Sequence, residues 1–179
     1  MYAWAPSVDL SLVERKLSVM CPPPEPSPIR IEVGKFGYVV VFPDSGSVIV
    51  TDLGTPVEVD AGGLPIFQKK LGLLKPDFVV QITSQKFTLG EEVVIFLGQM
   101  KRSNGSNVCS FCLIRWLAYT STHHGDDAAD SMARQLELPS QATEIPLTLP
   151  PRKDRSEDRD ESTRRYIAVL LVRALQSNT

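Results

Sequence analysis

The chain has 179 residues, of which 42% are hydrophobic, so it is long enough for one domain with a hydrophobic core. Its formal net charge is −2, so the chain has no global positive field that would attract nucleic acid or an anionic membrane. Three cysteines leave no complete intrachain disulfide framework, and no apolar run reaches the ~20 residues that a membrane helix needs.

The N-terminal segment 1–28 is predicted to form a short helix followed by a proline-rich connector. Apolar residues recur at helical spacing within Ser7–Met20, and Ser11 with Glu14 predicts a capping box. The run Cys21–Pro28 predicts an extended, polyproline-like connector that contains a PxxP pattern from Pro23 to Pro26. We interpret the connector as a stiff spacer; the alternative is a ligand for an aromatic groove.

The start of the chain lacks the charged residues and the apolar stretch of a signal peptide. Together with the odd cysteine count, this indicates a reducing setting. We therefore expect an intracellular (cytoplasmic) location or one within a virion, and no secretion through a signal peptide.

Residues 29–90 are predicted to form strands joined by turns. Alternation of apolar and polar residues, or β-branched and aromatic content, marks the strands, which are Ile29–Val33, Tyr38–Phe42, Ser47–Leu53, Val57–Val59 and Phe78–Phe87. On the last strand Val80, Ile82 and Ser84 are expected on one face. Ile66–Leu74 fits either a strand or a helical turn.

The stretch Glu91–Thr122 is predicted to be one long β-hairpin at the centre of the core. Two apolar arms flank an Asn104-Gly105 pair, and both residues of such a pair accept the positive φ of a tight hairpin turn. Each arm is apolar on both faces, which is typical of a strand that is covered on both sides. We expect Phe96 and Trp116 to be buried and the turn to be exposed.

Past Thr122 the sequence predicts one further helix within Ala128–Leu138, with acids in its first turn. Residues 139–165 then form a polar, mixed-charge connector that contains too little apolar surface to order itself in isolation. The segment 166–179 begins with an apolar run, Tyr166–Leu175, that must pack. It fits a strand or a helix; β-branched content favours the strand slightly.

These elements predict a mainly β (α+β) protein with an antiparallel sandwich, barrel or jelly-roll-like sheet. The sheet is accompanied by the N-terminal helix, the helix after the hairpin and the C-terminal strand or helix. The predicted segments are 1–28, a β-rich core domain at 29–138, the connector 139–165, and the packing segment 166–179.

The clearest candidate metal ligands are Cys109, Cys112, His123 and His124, which superficially resemble a zinc set. The two cysteines lie inside an apolar strand, however, where residues three apart point to opposite faces. The two histidines are adjacent rather than three to five residues apart. We therefore interpret the cysteines as buried structural residues, expect no resident cofactor or metal, and keep zinc as the alternative.

A second candidate site is the cluster from His123 to Asp130, in which histidines stand beside carboxylates, as in hydrolytic sites. The favoured interpretation is a capped helix N-terminus with the histidines in a solvated loop. The basic residues of the tract 152–165 are interleaved with acids, which argues against binding to nucleic acid.

The sequence therefore predicts no catalytic residue. The first hypothesis is a non-enzymatic structural or assembly protein that self-associates or binds protein neighbours through terminal arms, with viral capsid, matrix or cement-type proteins as an architectural analogy. The C-terminal arm is expected to dock on a neighbouring subunit. The residues expected at this contact are Arg164, Arg165, Tyr166, Ile167, Val169 and Leu171. The alternatives are a zinc-binding regulatory module and a hydrolase.

Overall fold

The computed structural model describes residues 2–35, 37–42, 46–50, 56–60, 62–66, 76–90, 93–116, 131–138, 143–144 and 158–177. The chain forms two compact units. The first contains Met1–Ser27, Thr83–Gln99 and Cys109–Thr148, and the second contains Pro28–Ile82, Met100–Val108 and Leu149–Thr179. The four-segment division proposed from the sequence stays a prediction.

The structure is mainly antiparallel β-sheet, which confirms the predicted fold class. The strands are β1 (Tyr2–Pro6), β2 (Glu25–Pro26), β3 (Ile29–Gly34), β4 (Gly37–Phe42), β5 (Gly46–Val50), β6 (Val57–Val59), β7 (Phe78–Leu89), β8 (Val93–Arg102), β9 (Asn107–Trp116) and β10 (Thr143–Glu144). The strand order is β10-β1-β9-β8-β7 in the first unit, where β2 also pairs with β7. In the second unit it is β7-β3-β4-β5-β6. Within the described residues this order does not close into a barrel.

The predicted central hairpin is confirmed as β8 and β9, which are neighbours in the sheet. At its turn the Arg102 N–H donates to the Ser106 carbonyl at 2.9 Å, and the Gly105 N–H donates to the Arg102 carbonyl at 2.8 Å. Gly105 has a φ of 84°, which glycine adopts without steric penalty. Asn104 and Gly105 are exposed, as predicted.

Both arms of the hairpin are buried on both faces, since adjacent residues on each strand are shielded from solvent. The buried residues include Val93, Val94 and Ile95 on β8 and Phe111, Cys112, Leu113 and Ile114 on β9. Phe96, however, is only half-buried, and the side chain of Trp116 lies outside the described part of the structure. On β7 the predicted face is confirmed, because Val80, Ile82 and Ser84 are buried.

Gly98 lies in the middle of β8, where a side chain has no room. A Cβ added there would lie 2.7 Å from the Cβ of Ser84 and 2.8 Å from the Cζ of Phe111. The buried Phe111 ring therefore takes the space beside the glycine. Glycine inside a strand is typical of such close approaches, and an aromatic neighbour restores the packing that the glycine lacks.

Helix α1 (Leu10–Met20) confirms the predicted N-terminal helix but corrects its cap. The cap is Asp9, whose Oδ1 accepts hydrogen bonds from the Ser11 N–H at 3.0 Å and the Leu12 N–H at 3.3 Å. The predicted capping box from Ser11 to Glu14 was wrong because Asp9 precedes Ser11 and satisfies the free N–H groups first. The Ser11 hydroxyl and the Leu12 N–H hold the pKa of Asp9 below its usual value.

The core of the first unit lies between α1 and the sheet. Val13 and Leu17 of α1 pack with side chains of β7, β8 and β9, which are Phe87, Val93, Ile95, Leu97, Cys112 and Ile114. Val8 and Leu136 belong to the same cluster. This burial of aliphatic and aromatic surface is the main force that holds the helix on the sheet.

The helix predicted after the hairpin is present as α2, residues 131–135. Lys16 of α1 joins it, because its ammonium donates to the Gln135 carbonyl at 3.1 Å and pairs with the Glu137 carboxylate at 2.8 Å. Glu137 has a φ of 52°, in the left-handed region that commonly ends helices. The charge of Lys16 near the carbonyl end of α2 also suits the helix dipole.

The C-terminal segment is a helix, α3 (Asp158–Gln176), so the slight preference for a strand was wrong. Its buried residues recur at helical spacing, and they are Ile167, Ala168, Leu170, Leu171, Val172, Ala174 and Leu175. The helix packs on β5 and β6 of its own chain, and the expectation that it docks on a neighbouring subunit stays a prediction. A helix makes its backbone hydrogen bonds internally along most of its length. It can therefore pack on the face of a sheet and does not need to pair with an edge strand.

Candidate interaction surfaces

The two cysteines of the proposed zinc set lie on opposite faces of β9. Cys112 belongs to the core cluster beneath α1, whereas Cys109, three residues earlier, is buried outside that cluster. Burial raises the pKa of the Cys112 thiol to about 12 and raises that of Cys109. Both are free, protonated thiols at neutral pH, whereas zinc binds the thiolate. That the two cysteines are not joint zinc ligands stays a prediction.

Raising the pH is expected to destabilise the protein through Cys112. Its folded-state pKa lies above the ordinary 9.0, so the neutral thiol stabilises the folded state fully below pH 9.0. That contribution is lost as the pH rises through the window from 9.0 to about 12, because only the unfolded chain releases the proton there. Urea titrations at each pH measure the free energy of unfolding. Within this window it is expected to fall more steeply with pH in the wild type than in Cys112→Ala, by up to about 1.4 kcal/mol per pH unit.

The matched control for this experiment is Cys21→Ala, because Cys21 is only half-buried. Its pH profile is expected to follow the wild type closely. Parallel profiles for wild type and Cys112→Ala would show that the thiol is not held in its neutral form.

The remaining candidate ligands, His123 and His124, and the carboxylates up to Asp130 lie outside the described residues. Among the residues that are described, no three histidine, cysteine, aspartate or glutamate side chains come together as a metal site. Of the sequence-predicted zinc set the structure therefore describes only the two cysteines, and the zinc-binding and hydrolase alternatives both stay untested.

Several of the predicted C-terminal contact residues are buried within the second unit. Ile167 and Leu171 are buried, Val169 is half-buried, and the side chain of Tyr166 lies outside the description. Arg164 and Arg165 pair with one carboxylate, that of Glu58 on β6, whose side chain is only 12% exposed. The helix is therefore tied to the sheet by both apolar burial and charge.

A surface that the sequence analysis missed lies at the end of α1. Val19 is 86% exposed, although it belongs to a helix that buries Val13 and Leu17. Pro22 and Pro23, just past the helix, are exposed as well. We call Val19, Pro22 and Pro23 the N-terminal surface. At 100° per residue Val19 lies nearly opposite Leu10, so a helical projection of the sequence would have found it.

The proline-rich segment after α1 is held at both ends. The Cys21 N–H donates to the Leu17 carbonyl at 2.8 Å, and the Ser27 N–H donates to the Ser84 carbonyl at 2.8 Å. The Ser84 hydroxyl in turn donates to the Ser27 carbonyl, and Glu25 pairs with Lys86 at 3.1 Å. These contacts fix the segment against β7 at β2, whereas Cys21–Pro23 form bends, so the predicted extended, polyproline-like conformation does not hold over the whole connector.

The chain was compared with known proteins at three levels. No protein-family model matches it, and no curated protein matches it. Among solved structures it is similar to the PH1819 protein from Pyrococcus horikoshii OT3, with a TM-score of 0.48 and 14% identity over 78% of this chain and 88% of that chain. Such a likeness identifies neither a family nor a function. In the described part of the chain, none of the helices has the length and apolar character to span a membrane.

Proposed function

We propose that the chain is a non-enzymatic structural or assembly protein that acts by binding protein neighbours, and that the N-terminal surface is its contact site. The observation that carries the proposal is the exposure of Val19 on a helix whose other face is packed into the core. Exposed apolar side chains scattered singly are normal on a protein surface. Val19 lies close in sequence to two exposed prolines, and these three residues make up the proposed contact site.

The rigidity of the site supports the same proposal. The core cluster fixes α1, and Lys16 ties it to α2. The segment that follows α1 is hydrogen-bonded to β7 at Ser27. A surface that is already ordered loses little conformational entropy when a partner binds, so a modest apolar contact gives useful affinity.

The division of roles between the two ends of the chain differs from the sequence hypothesis. The sequence predicts that both ends are arms that reach neighbours. In the proposal here only the N-terminal segment contacts partners, and α3 supports the second unit from within. The described residues offer no observation that favours the zinc-binding or hydrolase alternative over this one.

Replacing Val19 by aspartate is expected to reduce complex formation at least tenfold, because a charge would have to be desolvated in an apolar contact. The measurement is size-exclusion chromatography with light scattering, on the purified protein over a dilution series and on native cell extract. The wild type is expected in species above the 19.8 kDa monomer mass, alone or with partners.

The matched control is Ser18→Asp, which places the same charge at the neighbouring exposed position. It is expected to leave the complexes intact, and melting curves of both variants verify folding. A wild type that is monomeric in both settings, or complexes that Val19→Asp leaves unchanged, would disprove the proposal.

A further inference from the structure

A row of two aromatic residues and one aliphatic residue crosses the sheet of the second unit. Val33 of β3 pairs with Tyr38 of β4 on one side and with Phe78 of β7 on the other. Directly opposed residues point to the same face of a sheet, so the three side chains share one face. Phe78 is 37% exposed, and Val33 and Tyr38 are half-buried. We call these three residues the aromatic slot, because the strands of the two aromatic residues are about 9–10 Å apart with Val33 between them.

Hydrogen bonds hold the aromatic slot in place. The Gln176 side-chain amide at the end of α3 donates to the Tyr38 hydroxyl at 3.2 Å. The Asp77 N–H donates to the Val33 carbonyl at 2.6 Å, which fixes the start of β7 beside β3. Groups that are already fixed lose little conformational entropy when a partner binds.

Arg102, the last residue of β8, lies on the same face as the slot. The Ser103 N–H donates to the Val79 carbonyl at 3.1 Å, so these two residues stand opposite each other. Side chains alternate along a strand, so Ser103 and Val79 point to one face and Arg102 points with Phe78 to the other. Phe78 is a diagonal neighbour of Arg102 at about 7–8 Å, within reach of a long side chain.

The guanidinium of Arg102 has hydrogen-bonding capacity to spare. Its Nε is buried and has no hydrogen-bond partner within the described residues, while the residue as a whole is half-buried. Glu32, next to Val33, points to the opposite face and pairs with Arg30 at 2.8 Å. A carboxylate is the group that matches a guanidinium in both charge and geometry.

We propose that the aromatic slot and Arg102 bind a protein partner through an extended segment that carries an apolar residue and, two residues away, a carboxylate. Residues two apart in an extended segment point the same way and lie about 6.5–7 Å apart, close to the spacing of Phe78 and Arg102. Tyrosine and arginine are typical of interface hot spots. The net charge of −2 disfavours nucleic acid as the occupant. This site belongs to the second unit and goes beyond the proposed function, which concerns the N-terminal surface of the first.

The test is an NMR titration of the isotope-labelled full chain with acetyl-Leu-Ala-Glu-amide and acetyl-Leu-Ala-Gln-amide, each up to about 10 mM. The two peptides differ only in the carboxylate. Saturable shifts of the slot residues and of the Arg102 Nε–H signal are expected with the glutamate peptide. The glutamine peptide is expected to bind about tenfold more weakly or less, because it forms no charge-assisted hydrogen bond with Arg102.

One variant addresses each half of the site. Arg102→Gln and Phe78→Ser are each expected to weaken binding of the glutamate peptide about tenfold or more. The matched controls are Lys101→Gln, which removes the exposed charge next to Arg102 on the opposite face, and Val57→Ser, which changes another exposed apolar residue of the same unit. Both controls are expected to bind like the wild type.

Three results would overturn the inference: no saturable shifts, equal binding of the two peptides, or wild-type binding by either variant of the site. The comparison of peptides uses the wild-type chain, so it holds even where a variant fails to fold, and amide spectra identify such a variant. A parallel titration with an oligouridylate is expected to leave the slot signals unchanged. Shifts there with the oligouridylate and none with the glutamate peptide would assign the surface to nucleic acid instead.

Discussion

Phe87→Ala is expected to lower the free energy of unfolding by about 3–5 kcal/mol. Phe87 is fully buried on β7 and packs in the cluster that joins α1 to β8 and β9. Removing the ring leaves a cavity that the fixed strands cannot close, so both transfer free energy and packing are lost. Urea titration followed by circular dichroism measures the change.

A loss of this size approaches the whole stability of a typical domain, about 5–15 kcal/mol, so a milder variant belongs in the same series. Phe87→Leu keeps most of the apolar volume and is expected to lose less. The control is Val19→Ala, at an exposed position of α1, with an expected change within about 0.5 kcal/mol. Equal effects of Phe87→Ala and Val19→Ala would mean that the cluster is not the core.

Truncation after Pro151 is expected to lower the melting temperature sharply and to leave the oligomeric state unchanged. It removes α3, whose side chains cover β5 and β6 of the same chain. Each aliphatic side chain that loses its cover gives up about 1.5–3 kcal/mol of burial. The measurements are differential scanning calorimetry and light scattering on the same samples.

Leu171→Ala tests the same packing in a chain that keeps the helix, with an expected loss of about 2–5 kcal/mol since Leu171 is fully buried. Arg173→Ala changes an exposed residue on the same helix and is expected to have little effect. A truncated chain that keeps its melting temperature but loses its oligomeric state would show that α3 docks on a neighbour instead.

The sequence was sufficient for the parts of the fold that local chemistry determines. The Asn104-Gly105 turn, the alternation in β3 and the buried face of β7 were readable because turn conformation and two-residue periodicity are local properties. Strand β1, Tyr2–Pro6, was not predicted, since its pairing with β9 is made across more than a hundred residues. Nothing in its composition marks a strand.

The C-terminal helix and the candidate site show a different limit. The run from Tyr166 to Leu175 satisfied strand and helix patterns alike, and only its place on the face of β5 and β6 decides for the helix. In the same way, the PxxP pattern was visible in the sequence. Where the segment is attached to the sheet depends on its hydrogen bond to Ser84, which is 57 residues away in the sequence, and no local pattern records this contact.

The contact between Gly98 and Phe111 carries a consequence for how this protein can diverge. Because the ring occupies the space of the missing side chain, neither position is free to mutate alone. Alanine at position 98 would also meet the Cβ of Ser84, which a shorter residue at 111 does not move, and a lineage that loses the ring opens a void beside the glycine. Position 98 is therefore expected to remain glycine in natural variants, and position 111 to remain a large aromatic residue.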